Sequence, residues 1–394
     1  MRQLKITQEM VDLHLAAYDE GIMRGLEELV AGRPLKKWYK KNRKKTRSFI
    51  SRSKTNSFEM FYIKRIYRVY KKYQGKKGFL AQGPSVIDVI VRRFKKLDKI
   101  VKAKFSKTEY AAWERGKEKI EKLFDYEMFS QGKRLNVNVS KGKPQFRWDD
   151  NYDKWSGWYF LKRLSMATCS YCNSDGVFTL EYKQETQGRG KRKAQEKPNH
   201  LKSELDHFWP RAEFPFLGLS LYNLVPSCTR CNRNIKGANY EPLGEMIHPY
   251  SHDFHEGAKF YAVFKDYKGL THPNDTDVDV IIDRPNEPHS ADLAKRAKKS
   301  AEFFHLEEVY NQIYELEVND VVRKVLYLPE SYLADLRSRY PGIEESVLNR
   351  MTLGTSLNPA DINKLPHEKL RQDIHSQLWI HSSVTKSCMC GRTR

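Results

Sequence analysis

Three short stretches in the middle of the chain decide the fold: CSYC at 169–172, ELDHFWP at 204–210 and LYNLVPSCTRCNRNIKG at 221–237. The first and third stretches each hold a C-x-x-C pair, and the cysteines are Cys169, Cys172, Cys228 and Cys231. Four thiolates are the number and kind of ligand that a closed tetrahedral zinc site needs. The spacing therefore predicts one structural Zn²⁺, and four buried apolar cysteines are the alternative.

The polar residues between and beside the cysteine pairs suit a different chemistry, because a zinc ion with four protein ligands has no open position for water. Hydrolysis of a phosphodiester needs a base for water, a hard cation for the charge on oxygen, and groups that fix both. The imidazole of His207 suits the base. Carboxylate and amide oxygens suit Mg²⁺ or Mn²⁺, and Asp206, Asn223 and Asn232 offer them.

The pattern of these residues resembles the HNH endonucleases, whose fold is the ββα-metal module. In that family an Asp-His pair lies on a strand, an Asn follows after a loop, and a final His or Asn lies on the helix after the second C-x-x-C. Asp206-His207, Asn223 and Asn232 occupy those positions here. The resemblance implies that His207 is the general base, that Asp206 and Asn232 hold one catalytic Mg²⁺ or Mn²⁺, and that Asn223 orders the loop and orients His207.

The charge of the chain is concentrated in one segment. The sequence holds 71 Lys and Arg against 49 Asp and Glu, a net charge of +22, and residues 33–104 hold 25 of the cations and three of the acids. Such a field suits a polyanion, nucleic acid first, although a solvated basic surface or an arm for an acidic protein partner is the alternative. The predicted nucleic-acid contacts are Lys40, Lys41, Arg43, Lys44, Lys45, Arg47, Arg92, Arg93 and Lys96.

The chain as a whole predicts an α+β fold, predominantly helical around a central ββα-metal module. We expect a basic helical nucleic-acid-binding region at 1–150, a nuclease module with the zinc site at 151–260, and a strand pair with a C-terminal helical region and flexible tail at 261–394. The insert Lys183–Ser203 is rich in Gly and charge, which predicts a loop that separates the two strands of the hairpin.

Local patterns predict individual elements. Helices are expected from Thr7 to about Val30, after a Ser85 N-cap, from a capping box at Ser106 and Glu109 to about Phe129, and from Trp155 to Leu164. Residues 131–153 predict a loop or hairpin, and 259–265 and 278–282 predict strands. Aromatic residues that alternate with Lys and Arg in the basic segment suit stacking on bases or the buried face of a helix, and burial is the preferred interpretation for Phe61, Ile66 and Tyr70. The other predicted buried positions are Ile87, Ile90, Val91, Phe94, Leu97 and Val101, and a later single helix with Phe303, Leu306, Val309, Tyr310, Ile313 and Leu316.

Two further groups of metal-binding residue types are present. His248, His252 and His255 offer a rival transition-metal site, but the Pro, Ser and Gly residues among them indicate a loop. Cys388 and Cys390 lie in the tail. No stretch has the apolar length of a signal peptide or a membrane span, so we expect a soluble, cytoplasmic protein that has no membrane partner.

The leading functional prediction is an HNH endonuclease that hydrolyses nucleic acid, double-stranded DNA first, with a 3′-hydroxyl and a 5′-phosphate as the family's products. The phrases LDHFWP, YNLVPSCTRCN and FFHLEEVYN are also loosely similar to bacterial HNH proteins of Septu-type anti-phage defence systems. That similarity implies a partner ATPase or another defence-system subunit. The alternative is a catalytically silent, zinc-stabilised nucleic-acid-binding protein or structural subunit.

Overall fold

The computed structural model describes residues 1–37, 47–52, 57–75, 78–140, 142–151, 154–186, 195–237, 244–265, 278–285, 290–313, 315–328 and 330–378. These residues belong to two compact units that share the chain discontinuously. The N-terminal unit holds residues 4–165 and 178–226, and the C-terminal unit holds residues 1–3, 166–177 and the chain from 227 onward. Helices and small sheets occur in both units, which confirms the α+β class.

The N-terminal unit contains six of the helices in the described ranges and most of the strands. Its helices are α1 (Gln8–Val30), α2 (Phe58–Tyr73), α3 (Pro84–Lys104), α4 (Lys107–Leu123), α5 (Tyr126–Ser130) and α6 (Gly157–Arg163). Its strands are β1 (Leu35–Lys37), β2 (Arg47–Ile50), β3 (Lys133–Ser140), β4 (Lys143–Asp150), β5 (Thr179–Thr186), β6 (Gln195–Lys202), β7 (Glu204–His207) and β8 (Leu224–Ser227), which ends at the unit boundary. They form a four-stranded sheet in the order β2-β1-β4-β3 and two pairs, β5-β6 and β7-β8.

The C-terminal unit begins its regular structure with a short helical segment of π type, Arg230–Lys236. Helices α7 (Phe254–Gly257), α8 (Ala291–Phe303), α9 (Leu306–Ile313), α10 (Glu315–Tyr327), α11 (Glu330–Arg339) and α12 (Glu345–Leu353) follow, and α13 covers residues 368–378. Strands β9 (Lys259–Phe264) and β10 (Val278–Asp283) form an antiparallel pair. Within the described ranges, no helix combines the length and apolarity that crossing a bilayer requires.

Helix α1 lies where the sequence predicts it. A glycine in this helix allows it to pack closely against strand β3. Thr7 caps the helix by accepting a hydrogen bond from the amide of Met10, and the positive φ of Gly32 follows the last turn. A Cβ atom at Gly21 would lie 2.6 Å from the side chain of Leu135 on β3. The approach of α1 to the sheet therefore depends on the missing side chain.

The capping box of Ser106 and Glu109 is confirmed, but α4 ends at Leu123 rather than near Phe129. A new cap at Asp125 starts α5 instead. Helix α3 begins at Pro84 after Gly83, not after Ser85, because proline at the first helical position has its φ preset and needs no amide partner there. Residues 133–150 form the hairpin of β3 and β4.

Each of the three predicted apolar sets needs a correction. Ile66 and Tyr70 are buried on α2, but Phe61 is 42% exposed. On α3 the predicted face is buried except for Leu97, which is half-buried. The single helix expected through Phe303 and Leu306 is wrong, because α8 ends at Phe303 and His305 has a φ of +51°, a left-handed conformation that interrupts the helix before α9.

The predicted loop at 183–203 is also wrong where the structure describes it. Strands β5 and β6 pair antiparallel from Thr179 with Lys202 to Thr186 with Gln195, and the residues between the strand ends lie outside the described ranges. A ladder satisfies the backbone groups of a charged segment that composition alone assigns to a loop. This hairpin precedes β7, so the connection between β7 and β8 is residues 208–223.

Candidate functional site

The four predicted cysteines form one buried cluster in the C-terminal unit. Their Sγ atoms all lie within 4.8 Å of one another, and those of Cys172 and Cys228 are 3.9 Å apart. Four sulfurs at a Zn–S distance of about 2.3 Å in a tetrahedron stand about 3.8 Å apart. The thiols are free of disulfides. The residues therefore fit a metal such as zinc, with all four positions taken by protein.

The first C-x-x-C pair is held by a tight backbone turn. The amide of Asn173 donates to the carbonyl of Cys169 (3.0 Å), and the amide of Cys169 donates to the carbonyl of Asp175 (2.9 Å). Asn173 has a φ of +56°, which Asn tolerates better than most residues. A bridge between Thr168 and Gly176 closes the turn at its base. These bonds fix the direction of both thiols.

Hydrogen-bond donors contact the sulfur atoms of both cysteine pairs. The amide of Cys231 donates to Sγ of Cys228 (3.4 Å), as is typical of a C-x-x-C turn around a metal. Across the cluster, Sγ of Cys172 accepts hydrogen bonds from the hydroxyl of Ser174 (3.2 Å) and the guanidinium of Arg230 (3.6 Å). Hydrogen bonds from the other cysteines lower the pKa of Cys172, whereas burial raises the pKa of Cys169. The hydroxyl of Ser174 and the guanidinium of Arg230 therefore favour the thiolate form of Cys172.

The first cysteine turn is anchored to the C-terminal helices. The Asn173 carboxamide donates to the carbonyl of Ile362 (2.6 Å) and accepts from the amide of Lys369 (3.1 Å). The phenol of Tyr310 donates to the carbonyl of Cys172 (2.7 Å). The cluster therefore joins residues 166–177 to chain segments that lie far away in sequence, which is the role of a structural site.

The second part of the candidate site lies in the N-terminal unit, on β7 and the connection 208–223. His207 ends β7 and is half-buried, and its Nε2 lies 3.0 Å from the carbonyl oxygen of Gly218. The ring of Tyr126 meets the imidazole edge to face, with 4.5 Å between ring centroids. One carbonyl and one aromatic ring thus contribute to the orientation of the His207 side chain.

Asn223 organises this connection from its buried end. Its carboxamide oxygen accepts from the amide of Trp209 (2.7 Å), and its nitrogen donates to the carbonyls of Trp209 (3.0 Å) and Leu217 (3.2 Å). The carbonyl of Asn223 also accepts from the amide of Phe208 (2.8 Å). A side chain with both a donor and an acceptor end can satisfy all three groups, and no other residue of this size can.

The remaining predicted residues lie as follows. Asp206 is buried on β7, next to His207. Asn232 is half-buried in the π-type segment of the C-terminal unit, one residue after Cys231. The structure thus places Asp206, His207 and Asn223 on one hairpin of the N-terminal unit, and Asn232 beside the cysteine cluster.

Sequence reasoning missed a second histidine at the same connection. His14 on α1 is fully buried, its Nε2 lies 2.6 Å from the carbonyl of Leu219, and its Nδ1 accepts a hydrogen bond from the indole of Trp155 (2.9 Å). Burial lowers the pKa of His14 to about 4. Two imidazoles therefore hold two consecutive carbonyls, those of Gly218 and Leu219. Nothing in the pattern around His14 distinguishes it from a core residue, whereas Ser174 and Arg230 adjoin the cysteine motifs and could have been named.

The rival histidine site does not form among the described residues. In these ranges, the four cysteines are the one set of three or more Cys, His, Asp and Glu side chains that lie close enough to share an ion. Burial lowers the pKa of buried His248 to about 3 and that of half-buried His255 to about 2, so both imidazoles are neutral at pH 7.

The predicted nucleic-acid contacts fall into three groups. Arg92, Arg93 and Lys96 are exposed on α3, although Arg92 is ion-paired with Asp88. Arg47 belongs to β2. The others, together with Cys388 and Cys390, lie outside the described residues; they are Lys40, Lys41, Arg43, Lys44 and Lys45.

No protein-family model, curated protein or solved structure matches this chain. A function for this chain is therefore inferred from its sequence pattern and from the geometry of its described residues.

Proposed function

We propose that the chain is a metal-dependent endonuclease of the HNH kind, which hydrolyses phosphodiester bonds of nucleic acid. The observation that carries the proposal is the contact between Nε2 of His207 and the carbonyl of Gly218 (3.0 Å). A carbonyl only accepts hydrogen bonds, so this contact favours a proton on Nε2. In the neutral imidazole Nδ1 is then the proton acceptor, which is what a general base for water requires.

The surroundings of His207 support this role. Asn223 fixes the connection through Leu217, the residue before the carbonyl that His207 contacts. The ring of Tyr126 limits rotation of the imidazole. A general base must be held in position before the substrate arrives, and these contacts restrict the position of the His207 side chain.

The donor set for the catalytic cation fits Mg²⁺ or Mn²⁺ by its chemistry. The family resemblance assigns this cation to the carboxylate of Asp206 and the amide oxygen of Asn232, and both are oxygen ligands of the kind that these cations prefer. A bound divalent cation supplies charge neutralisation at the phosphoryl and leaving oxygens. The zinc cluster has a separate task, since its four thiolates leave no place for a substrate.

A plasmid cleavage assay tests the proposal. Supercoiled double-stranded DNA is incubated with the full chain and Mg²⁺ or Mn²⁺, and nicked or linear products are quantified. His207→Asn should lower the rate by about 10²- to 10⁴-fold, the usual contribution of a general base, while zinc content stays normal. His305→Asn is the matched control, because His305 is exposed and Asn tolerates its positive φ.

Two results would contradict the proposal. Cleavage by His207→Asn at the wild-type rate would exclude His207 as the base. Tight, salt-sensitive binding without products under any divalent metal would instead favour the zinc-stabilised binding protein or structural subunit.

A further inference from the structure

A wide apolar groove lies between helices α2 and α3 of the N-terminal unit. Its volume is about 620 Å³, and we name it the phenylalanine groove. The residues that matter for its chemistry are Phe58, Phe61, Lys64, Leu97, Ile100 and Phe105. Phe61 is 42% exposed and Phe105 is 43% exposed, so large aromatic surfaces face solvent.

The aromatic rings of the groove form a connected platform. The ring centroids of Phe58 and Phe105 are 4.6 Å apart, and those of Phe58 and Phe61 are 6.4 Å apart. Beneath them, the ring of Trp113 lies 6.1 Å from Phe61 and is itself fully buried. The indole of Trp113 donates to Asp98 (2.8 Å), so the ring that packs against Phe61 is itself held in place.

Cations flank the groove on both helices. Lys64 and Arg65 follow Phe61 by three and four residues on α2, and Lys96 and Lys104 lie four residues before and after Ile100 on α3. Residues at these spacings share a helix face. All four cations are exposed.

The acids of the same basic segment are already ion-paired. Glu59 is buried against Lys119, Asp98 contacts Lys117 (2.8 Å), and Asp88 contacts Arg92. These are the three acids of residues 33–104. Four exposed cations of α2 and α3 therefore flank a lining that contains three phenylalanine rings.

We propose that the phenylalanine groove binds single-stranded nucleic acid. Bases stack on the exposed rings of Phe61 and Phe105, and phosphates contact the cations on the rims. Stacking platforms between cationic rims are how proteins bind unpaired strands, whereas a duplex keeps its base faces hidden. An acidic amphipathic peptide would match the charge, but three adjacent aromatic rings favour planar bases. This inference concerns binding and does not require the proposed nuclease activity.

Fluorescence anisotropy with two oligonucleotides tests the inference. The probes are a fluorescein-labelled oligothymidylate and an abasic strand of equal length, which keeps the phosphates and lacks the bases. His207→Asn protein without added divalent cation removes any contribution from cleavage. We expect the full chain to prefer the base-bearing probe, and Phe61→Ala to weaken its binding by about 5- to 150-fold per lost stack, with little effect on the abasic probe.

Four further variants test which property of the groove gives this preference. Phe61→Trp should keep the preference for bases, and Phe61→Leu, which preserves an apolar side chain of similar size, should lose it. Phe178→Ala is the control, because Phe178 is 55% exposed elsewhere in the same unit. Lys64→Ala with Arg65→Ala should lower the salt dependence for both probes.

Equal affinity for the two probes would overturn the inference, as would wild-type binding by Phe61→Ala with Phe105→Ala. Displacement of the oligonucleotide by a Glu- and Leu-based amphipathic peptide, whose own binding is lost in Phe61→Ala, would overturn it in favour of a protein partner.

Discussion

The cysteine cluster and the connection 208–223 reach a fixed geometry in different ways. In the cluster, four cysteine side chains converge on one point, and the spacing of the cysteines in the sequence predicts the site. In the connection, the fixed points are backbone carbonyls of Gly218 and Leu219, held by His207 and His14. A site whose ligands are four cysteines can be predicted from the sequence, whereas an arrangement that depends on backbone carbonyls cannot, because every residue has a carbonyl.

The two regions should also respond differently when one of their side chains is replaced. A closed metal site is stable as a unit, so losing one ligand removes most of its binding free energy. The connection depends on separate hydrogen bonds, each with a net contribution of about 1 kcal/mol.

Cys172→Ser should have the largest effect. Binding of a structural zinc contributes on the order of 10 kcal/mol, which is comparable to the entire stability of a domain. We expect loss of the zinc and failure of the C-terminal unit to fold stably, measured by elemental analysis and limited proteolysis. Cys388→Ser with Cys390→Ser is the thiol-matched control. A variant that keeps its fold without metal would show that the cysteines are merely buried.

Asn223→Ala should come next, at about 2–4 kcal/mol of unfolding free energy. The substitution leaves the amide of Trp209 and two carbonyls without their buried partner. Urea unfolding measures the effect, and Asn138→Ala, at an exposed position of β3, should change stability by less than about 0.5 kcal/mol. Equal effects at the two positions would mean that Asn223 does not organise the connection.

The pH dependence of stability tests His14. Its pKa is about 4 in the folded chain, below the ordinary value of 6.5, so the unfolded chain binds the proton more readily between these values. Stability should therefore fall as the pH drops through this window, by about 2 kcal/mol between pH 7 and pH 5. His14→Gln keeps a donor and an acceptor but does not titrate, so its unfolding free energy should fall less. If the unfolding free energies of the wild type and of His14→Gln change with pH in the same way, His14 is not the group responsible.

Ser174→Ala should have the smallest effect. Loss of the hydroxyl that donates to Sγ of Cys172 should weaken zinc binding by about 10-fold, measured by competition with a chromogenic chelator. The control is Ser170→Ala, whose hydroxyl contacts the sulfur of Met166 instead. If the two variants release zinc alike, the donors around the thiolates do not tune the site.

Local rules predicted much of the fold, and their failures have physical causes. The Thr7 cap and the box of Ser106 and Glu109 depend on residues three apart, so the sequence holds all the information. The break at His305 depends on one backbone angle inside an apolar pattern with helical spacing. Phe61 is exposed because α3 packs against α2 in a way that leaves a groove beside it. The apolar pattern of α2 alone does not contain that information.

The candidate site divides in the same way. Spacing and residue type predict the cysteine cluster, and the family resemblance predicts that Asp206 and His207 lie on one strand. The contact of His207 with Gly218 and the role of His14 were not predicted, because a carbonyl has no signature in the sequence. The assignment of Asp206 and Asn232 to a catalytic cation stays a prediction.

The cysteine cluster has a consequence for the order of assembly. Cys172 and Cys228 stand 56 residues apart, and most of the chain between them belongs to the other unit. On the ribosome the first pair emerges long before the second, and it cannot complete a four-thiolate site alone. We therefore expect metal capture to be a late event in biosynthesis, after strands β5 to β8 have been synthesised.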